Sequence, residues 1–358
     1  MKILHITNTL SSGGVTTFLI ELLNYLSENN KVTLLLLGRD EEPYLKKQFK
    51  ENIEIIFLNQ NRLRSLKNIL IIRKYIKDND IVHAHLFPTF YIVAIASLFL
   101  DKKLIVTEHT ADNNRRKYKL FKYLDKWIYN KYQSIIPCSY EAEVNLQKWL
   151  GKDLDNKMKT IPNGISLLKY NDIENKRNKI WNLTKKQKLI CMIARFSKQK
   201  DQKTLLKALK LLPDNIKCIF IGIGETLEEM INYSKKINLD KERVQFLGYR
   251  HDVPSILKSC DLNILSTFYE GLPFILLESM AIGTITIGSD VPGVRDILKK
   301  QELLFECQND NELAEKILNI LNNNELKKKL ENYLKREILK YDVKIMLNKY
   351  DEIYKKFK

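Results

Sequence analysis

Apolar residues along the chain alternate between short continuous runs and longer stretches of three-four spacing, the pattern of buried strands exchanging with amphipathic helices. In the first half, runs at Lys2 to Thr7, Lys31 to Leu37, Ile53 to Leu58, Ile81 to Leu86, Leu104 to Glu108 and Ser134 to Pro137 predict strands. Helical spacing covers Val15 to Leu26, Leu63 to Lys77, Phe87 to Leu100, Arg115 to Tyr132 and Glu141 to Leu150. A Pro162-Asn163-Gly164 turn and the polar stretch NDIENKRNKIWNLTKKQK then interrupt the pattern. It restarts with strands at Leu189 to Ala194, Ile216 to Ile221, Val244 to Leu247, Leu262 to Leu265 and Thr284 to Ile287, and helices at Leu205 to Leu212, up to about Lys236, and Val253 to Ser259. From Asn309 onward the pattern is helical and polar, ending in a lysine-rich amphipathic segment, Val343 to Phe357. Strands alternating with helices predict an α/β chain with two doubly wound, mostly parallel sheets. The expected domains are 1–167 and 168–341, with a terminal helix at about 342–358 packing back on the first.

The stretch from Ser266 to Gly293, STFYEGLPFILLESMAIGTITIGSDVPG, is the most suggestive. It leads from an apolar strand through Glu270-Gly271-Leu272-Pro273 into an apolar helix that carries Glu278 and stops at Gly283. Proline suits a first helical position, so the helix is expected to begin at Pro273. A helix N-terminus at the carboxyl end of a parallel strand offers free N–H groups to a phosphate. Two glutamates eight residues apart recur by chance in many helical proteins; their place at the ligand end of a β-α-β unit is what singles them out.

Composition narrows the classes without choosing among them. At 358 residues the chain exceeds what one core supports, and 44% hydrophobic content is ordinary for a globular protein and gives no indication of disorder. A formal charge of +17 calls for an anionic partner: nucleic acid, an anionic lipid surface or a phosphorylated substrate. The five cysteines are scattered without a C-x-x-C pair, the pattern of reduced, buried thiols in a cytosolic protein. MKILHITNTL reads as a first strand in place of a signal peptide, and the longest apolar run, Phe87 to Leu100, is too short and too broken to span a bilayer. A protein that is soluble or lies on a membrane surface is expected.

Other features carry two readings each. Ser11-Ser12-Gly13-Gly14 between a strand and a helix fits an ordinary tight turn as well as a turn that lets the backbone approach an anion. His83 and His85 share one face of a strand; no third ligand stands at a suggestive spacing, which favours a structural role over a metal. His109 follows an apolar strand at the carboxyl edge where open α/β sheets bind ligands. In NNRRKYKLFKYLDKWIYNKY the stripe Leu120, Leu124, Trp127, Ile128 and Tyr132 predicts a helix packed on the sheet, with anionic lipid contact through its Lys, Arg and aromatic residues as the other reading. Gly222-Ile223-Gly224 lacks the third glycine of a dinucleotide fingerprint, which disfavours a bound NAD. Arg195 and Lys200 follow a strand and can neutralise a diphosphate, or are simply two of the chain's sixty basic residues. Asp78-Asn79-Asp80 and Asp153-Leu154-Asp155 match a metal-binding D-x-D pattern but lie away from strand ends, and are read as caps and loops.

Taken together, SSGGVTTFLIELL, IVHAHL, TEHT, the Ser139 turn, IPNGI, ARFSKQKD, FLGYRHDVPSIL and STFYEGLPFILLESMAIGTITIGSDVPGVRDIL resemble the family 4 retaining glycosyltransferases of GT-B fold, over essentially the whole chain. The resemblance implies two Rossmann-like domains facing across a cleft, an acceptor-side domain and a nucleotide-sugar donor domain. It implies transfer of a sugar from a UDP- or GDP-sugar to a hydroxyl of a glycan, lipid-linked in the enzymes that build bacterial capsule, O-antigen or exopolysaccharide, with anomeric configuration kept. It also implies catalysis without a metal or other cofactor, at the inner face of the cell membrane, and no nucleic-acid partner. By the resemblance, Gly13 and Gly14 approach the donor phosphates, as do Arg195, Lys200 and backbone groups at Leu272 and Phe274, Pro273 having no N–H to give. Glu278 accepts from the ribose, Glu270 and His109 hold the transferred sugar, and Tyr249 and Arg250 lie in the base-binding loop. Ser166 and Ile223 depart from the family pattern, where Asp is common at both positions. Two competing functions are a nucleotide-sugar epimerase or hydrolase of the same fold and a basic nucleic-acid-binding protein.

Overall fold

The computed structural model describes residues 1–11, 13–39, 42–58, 66–110, 116, 118–177, 183–184 and 186–358. The chain forms two compact units, Met1–Gly164 with Val343–Lys358, and Ile165–Asp342. The first is built on β1 (Lys2–Thr7), β2 (Lys31–Leu36), β3 (Glu54–Phe57), β4 (Ile81–His85), β5 (Lys103–Glu108) and β6 (Ser134–Pro137), in the order β3-β2-β1-β4-β5-β6. The second holds β7 (Lys188–Ile193), β8 (Ile216–Ile221), β9 (Val244–Phe246), β10 (Leu262–Leu265), β11 (Thr286–Ser289) and β12 (Leu304–Phe305), in the order β12-β11-β10-β7-β8-β9. Every pairing within the two sheets is parallel.

Both sheets therefore start in the middle, wind outward on one side and return to wind outward on the other. The winding reverses between β1 and β4 and between β7 and β10, and the carboxyl ends of strands at such a reversal are where doubly wound sheets take ligands. Burial explains the continuous apolar runs. All five residues of β4 and all six of β8 are buried, because helices cover both faces of a parallel sheet. Helix starts are set by side-chain caps: Ser139 accepts from Ala142 N–H, Asp201 from Thr204, Asn309 from Glu312 and Asn323 from Leu326. The terminal helix Val343–Lys355 belongs to the first unit and buries Met346, Tyr350 and Tyr354.

The elements depart from the sequence reading in a few places. The expected strand at Thr284 begins at Thr286, since Gly283 adopts the left-handed conformation and the Thr284 hydroxyl donates to Leu257 O. Pro292-Gly293, read as a turn, opens a short helix, Pro292–Leu298. β12 is two residues long and was not expected. Among the described residues no helix is long and apolar enough to cross a membrane. All five cysteines are free, and four are buried.

Candidate functional site

At the reversal point of the second unit, the loops that leave β7 and β10 are laced together. Asp201 N–H donates to Ser266 O at 3.0 Å, Phe268 N–H to Gln199 O at 3.0 Å, and the Thr267 hydroxyl to Gln199 O at 3.1 Å. Gln199 Nε2 reaches Tyr269 O at 2.7 Å, and Ser289, at the end of β11, accepts from Thr267 N–H at 2.9 Å. The lacing brings Lys200 Nζ onto Glu270 Oε1 as an ion pair, with the two side chains only 14% and 9% exposed. Sequence reasoning placed both residues at the site but not the bond between them. Arg195 is exposed on the same β7 loop and makes no side-chain hydrogen bond or ion pair among the described residues. Its loop is fixed from below by Phe196, whose ring is fully buried.

The Glu270-Gly271 backbone is also gripped from the side. A Cβ at Gly293 would sit 2.4 Å from Gly271 O and 2.5 Å from Glu270 O, so only glycine lets the second short helix approach. The expected start at Pro273 is corrected by one residue. Pro273 has an extended ψ of 113° and stands as the N-cap, and the helix runs Phe274–Ile282. Glu278 is accordingly its fifth residue, little more than one turn from the N-terminus. The N–H groups of Leu272, Phe274 and Ile275 make no hydrogen bond to another described residue, the open end expected of a helix terminus. Burial pushes the Glu278 carboxyl up to about 7, against the effect of the Tyr170 hydroxyl, which donates to it at 3.4 Å.

Gly222 and Gly224 serve packing. Their φ angles are 136° and 150°, and a Cβ at either would lie 2.1 Å from a carbonyl oxygen of the β7 loop, at Ala194 and Phe196 respectively. Phe196 N–H donates to Ile223 O and Gly222 N–H to Gly248 O, which laces the β7, β8 and β9 loops in turn. Tyr249 and Arg250 follow Gly248 at the edge strand. Arg250 makes two 2.9 Å hydrogen bonds to Asp252, which hold that carboxyl below its usual range, and Tyr249 meets the His251 ring edge to face. Neither is hydrogen bonded to Arg195, Lys200, Glu270 or Glu278.

In the first unit Gly13, with φ 157°, precedes the helix Gly14–Leu26 and its Cβ position is open. Asn8, at the end of β1, ties the reversal point together: its Nδ2 donates to Phe87 O at 2.9 Å and its Oδ1 accepts from Thr89 at 2.5 Å. Sequence reasoning missed Asn8; a polar residue directly after an apolar strand was its signal. The histidines are more closely assembled than spacing suggested. The β1–β4 register sets His5 opposite His83, which supplies the third ring that the reading of His83 and His85 lacked. His5, His83 and His85 offer ring nitrogens within 4.8 Å of one another, and His85 Nδ1 lies 3.1 Å from His109 Nε2. All six ring nitrogens of the three are already hydrogen bonded to protein groups.

The basic and aromatic segment also departs from expectation. The helix Leu120–Asn130 buries Asp125, Ile128 and Tyr129, but Leu120 is 81% exposed, Tyr123 76% and Trp127 43%. Its first half thus stands off the core with Lys119 and Lys122. Arg116 turns inward, 8% exposed and 3.9 Å from Glu108, while Arg115 and Lys117 lie outside the described residues. Asp153 pairs with Lys126, and Asp80 accepts from Lys2 N–H, so the D-x-D segments serve local contacts.

Comparison with known proteins gives the same picture at two levels. The family model described as Glycosyltransferase Family 4 matches residues 12–168, and that described as Glycosyl transferases group 1 matches 173–337. The chain is 28% identical to a UDP-galactose:N-acetylglucosamine-diphosphoundecaprenol α-1,3-galactosyltransferase of Escherichia coli, over 68% of this chain and 66% of that one. It is 24% identical to an α-1,4-N-acetylgalactosaminyltransferase of Campylobacter jejuni named for a glycan linked to diphosphoundecaprenol, over 90% and 89%. Among solved structures it is similar to Anabaena HepE in complex with UDP and glucose, with TM-score 0.88, 18% identity and 99% of each chain covered. It is also similar to sucrose-phosphate synthase of Thermosynechococcus elongatus, with TM-score 0.82, 17% identity and 99% and 98% covered. With the two glycosyltransferase models together matching most of the chain, and the fold shared with these solved structures, the chain belongs to the family 4 glycosyltransferases of GT-B fold.

Proposed function

We propose that the protein is a retaining, metal-independent hexosyltransferase that moves a sugar from a UDP- or GDP-sugar to a hydroxyl of a lipid-linked glycan, in assembly of a bacterial surface polysaccharide such as capsule or O-antigen. The carrying observation is the reversal point of the second unit, where Lys200 pairs with Glu270 and where Arg195 and the open helix N-terminus at Phe274 follow the ends of adjacent strands. Relatives that use diphosphoundecaprenol-linked acceptors support the acceptor class, and the UDP complex of HepE supports the donor class.

A diphosphate leaving group gathers negative charge as its bond breaks, and fixed cations and backbone dipoles stabilise that charge in place of a divalent ion. In the transfer the bond from the anomeric carbon to the diphosphate oxygen breaks, and the acceptor oxygen bonds to that carbon on the same face. The hydroxyl proton passes to the departing phosphate oxygen. Glu270 is engaged with Lys200, which suits a carboxylate that orients sugar hydroxyls and not one that attacks carbon. The test is incubation with a panel of UDP- and GDP-sugars and a short polyprenyl-diphosphate glycan. We expect one donor to give a lengthened glycan whose anomeric coupling in NMR matches the donor's. Treatment with EDTA is expected to leave the rate within about twofold, since the protein's own cations do the ion's work. Free sugar or epimer without lengthened glycan would replace transfer with hydrolysis or epimerisation, and a tenfold loss restored by Mg²⁺ would end the metal-independent reading.

The exposed face of the Leu120–Asn130 helix, with Lys119 at its N-cap, suits peripheral contact with the cytoplasmic membrane face, through Lys119 and Lys122 with Tyr123 and Trp127 as interfacial anchors. Each surface lysine near an anionic membrane contributes about 1 kcal/mol, so reversing both charges is expected to weaken binding to phosphatidylglycerol vesicles by at least about tenfold. Unchanged co-sedimentation of the Lys119→Glu/Lys122→Glu protein would remove this contact from the proposal.

A further inference from the structure

Four histidines and two tyrosines of the first unit stand in a single file of hydrogen bonds. Tyr350 Oη is 3.1 Å from Thr107 Oγ1, which is 2.8 Å from His83 Nε2. His83 Nδ1 is 2.6 Å from Tyr354 Oη, which is 3.2 Å from His5 Nε2. His5 Nδ1 is 3.0 Å from His85 Nε2, and His85 Nδ1 is 3.1 Å from His109 Nε2. The file ends at His109 Nδ1, a buried atom with no hydrogen-bond partner among the described residues.

Every group in the file is neutral. Burial lowers His5 and His109 to about 3 and takes His83 and His85 well below the usual histidine range, where their histidine neighbours add to the effect. Burial also raises both phenols above theirs. Each imidazole then has one N–H and each hydroxyl one O–H, so the file points one way or the other, because a Thr107 or Tyr354 hydroxyl accepting from both sides would leave its own O–H unpaired in the core. Suppose it points toward Tyr350. Thr107 then donates to Tyr350, and the Tyr350 O–H, fully buried with Thr107 as its only hydrogen-bond partner among the described residues, has no acceptor. Pointing toward His109, each donor along the file meets an acceptor, and the sole N–H left over is the one at its mouth. Either direction leaves one donor unpaired, but the His109 ring is partly exposed at the carboxyl edge of the sheet, where a solvent or substrate oxygen can accept its N–H, whereas Tyr350 is sealed in the core, so the second direction prevails.

We propose that Tyr350, Thr107, His83, Tyr354, His5 and His85 are positioning residues that fix His109 as a neutral ring with its proton on Nδ1, presenting a hydrogen-bond donor at the carboxyl edge of the first sheet. For transfer, this rests on the reading of His109 as a sugar contact: the ring donates to a substrate oxygen and does not serve as the base. All four histidines carry Nδ1–H, the form that free neutral histidine disfavours, which makes the assignment sharp. A metal held by His5, His83 and His85 would have to displace hydrogen bonds already made, and is the competing outcome of the test.

The experiment is ¹⁵N NMR of histidine-labelled protein at pH 7 without ligand, with His251 outside the file as internal reference. The expected result is an Nδ1–H tautomer at His5, His83, His85 and His109. Tyr350→Phe keeps the ring but removes the O–H that sets the direction. It is expected to remain folded by thermal melting, to shift His109 toward Nε2–H, and to lower kcat about tenfold with donor KM within about twofold. A wild-type His109 with its proton on Nε2 overturns the proposal, as do four unchanged tautomers in Tyr350→Phe. Stoichiometric Zn²⁺ uptake that abolishes the N–H signals overturns it in favour of a metal centre. A changed tautomer with unchanged transfer overturns instead the assignment of His109 as a sugar contact.

Discussion

Lys200→Ala is expected to lower kcat/KM by about 10²–10³-fold, the loss measured when one preorganised donor to a developing oxyanion is removed. The same substitution is expected to cost about 3–5 kcal/mol of stability, because it strands a buried carboxylate. Glu270 is 8% exposed, and apart from Lys200 its side chain has, among the described residues, only a 3.5 Å approach from Gln199 Nε2. The two losses separate in a second variant. Lys200→Ala/Glu270→Ala removes the stranded charge and should recover most of the melting temperature while leaving transfer as slow as in the single variant. Arg195→Ala gives the opposite control: its side chain is exposed and makes no side-chain hydrogen bond or ion pair among the described residues, so stability should stay within about 0.5 kcal/mol while kcat/KM falls about tenfold or more. Thermal unfolding and initial rates on a true donor and acceptor decide the matter. Wild-type rates in both Lys200→Ala and Arg195→Ala would mean that the donor diphosphate is not held at the β7 loop.

Why these residues were visible in the sequence, and their bond was not, follows from what local pattern encodes. The strands of both units are continuous apolar runs because parallel sheets are covered on both faces, so alternation of runs and periodic stretches exposes the α/β architecture. Glu270 and Glu278 were legible because strand, turn and helix follow one another within thirty or so residues of chain, as a β-α-β unit must. The Lys200–Glu270 pair joins positions 70 apart, and it exists because β10 lies beside β7, which strand order alone decides. His5 was passed over for the same reason: only the β1–β4 register brings it against His83.

The Leu120–Asn130 helix shows a different limit. Three-four spacing says that Leu120, Leu124 and Trp127 share a face with Ile128, but not how far along the helix the core reaches, and here it reaches only the later turns. Pro292-Gly293 carries the residues of a turn and also of a helix start, and the choice is made by Gly293 packing on Glu270 and Gly271. The short helices and loops that shape the site are fixed by such close approaches, which leave a trace in composition and none in periodicity.

Glu278 carries the other large effect, and its sign depends on pH. Its carboxyl is raised to about 7 by burial, so the folded protein holds this proton more tightly than the unfolded chain does. The stability it contributes is full below the ordinary glutamate range and is lost as pH rises through about 7. Glu278→Gln, which cannot ionise, is therefore expected to be more stable than wild type at pH 8 by about 1–3 kcal/mol, reduced from the full linkage value because the residue is partly exposed, and to match it near pH 5. Nucleotide binding should run the other way. Two ribose hydroxyls donating to one carboxylate stabilise its ionised form, so UDP affinity should rise from pH 6 to pH 8, by up to about tenfold, in wild type. In Glu278→Ala the loss of two hydrogen bonds to a charged acceptor should weaken UDP by about 10–100-fold at pH 8. The glutamine variant keeps the shape and measures whatever pH dependence the nucleotide's own phosphates contribute. Calorimetric titration of UDP into the three proteins at both pH values, with melting curves alongside, reads both trends. A pH slope for UDP as steep in Glu278→Gln as in wild type, or a full-strength Glu278→Ala complex, would take the ribose away from this helix.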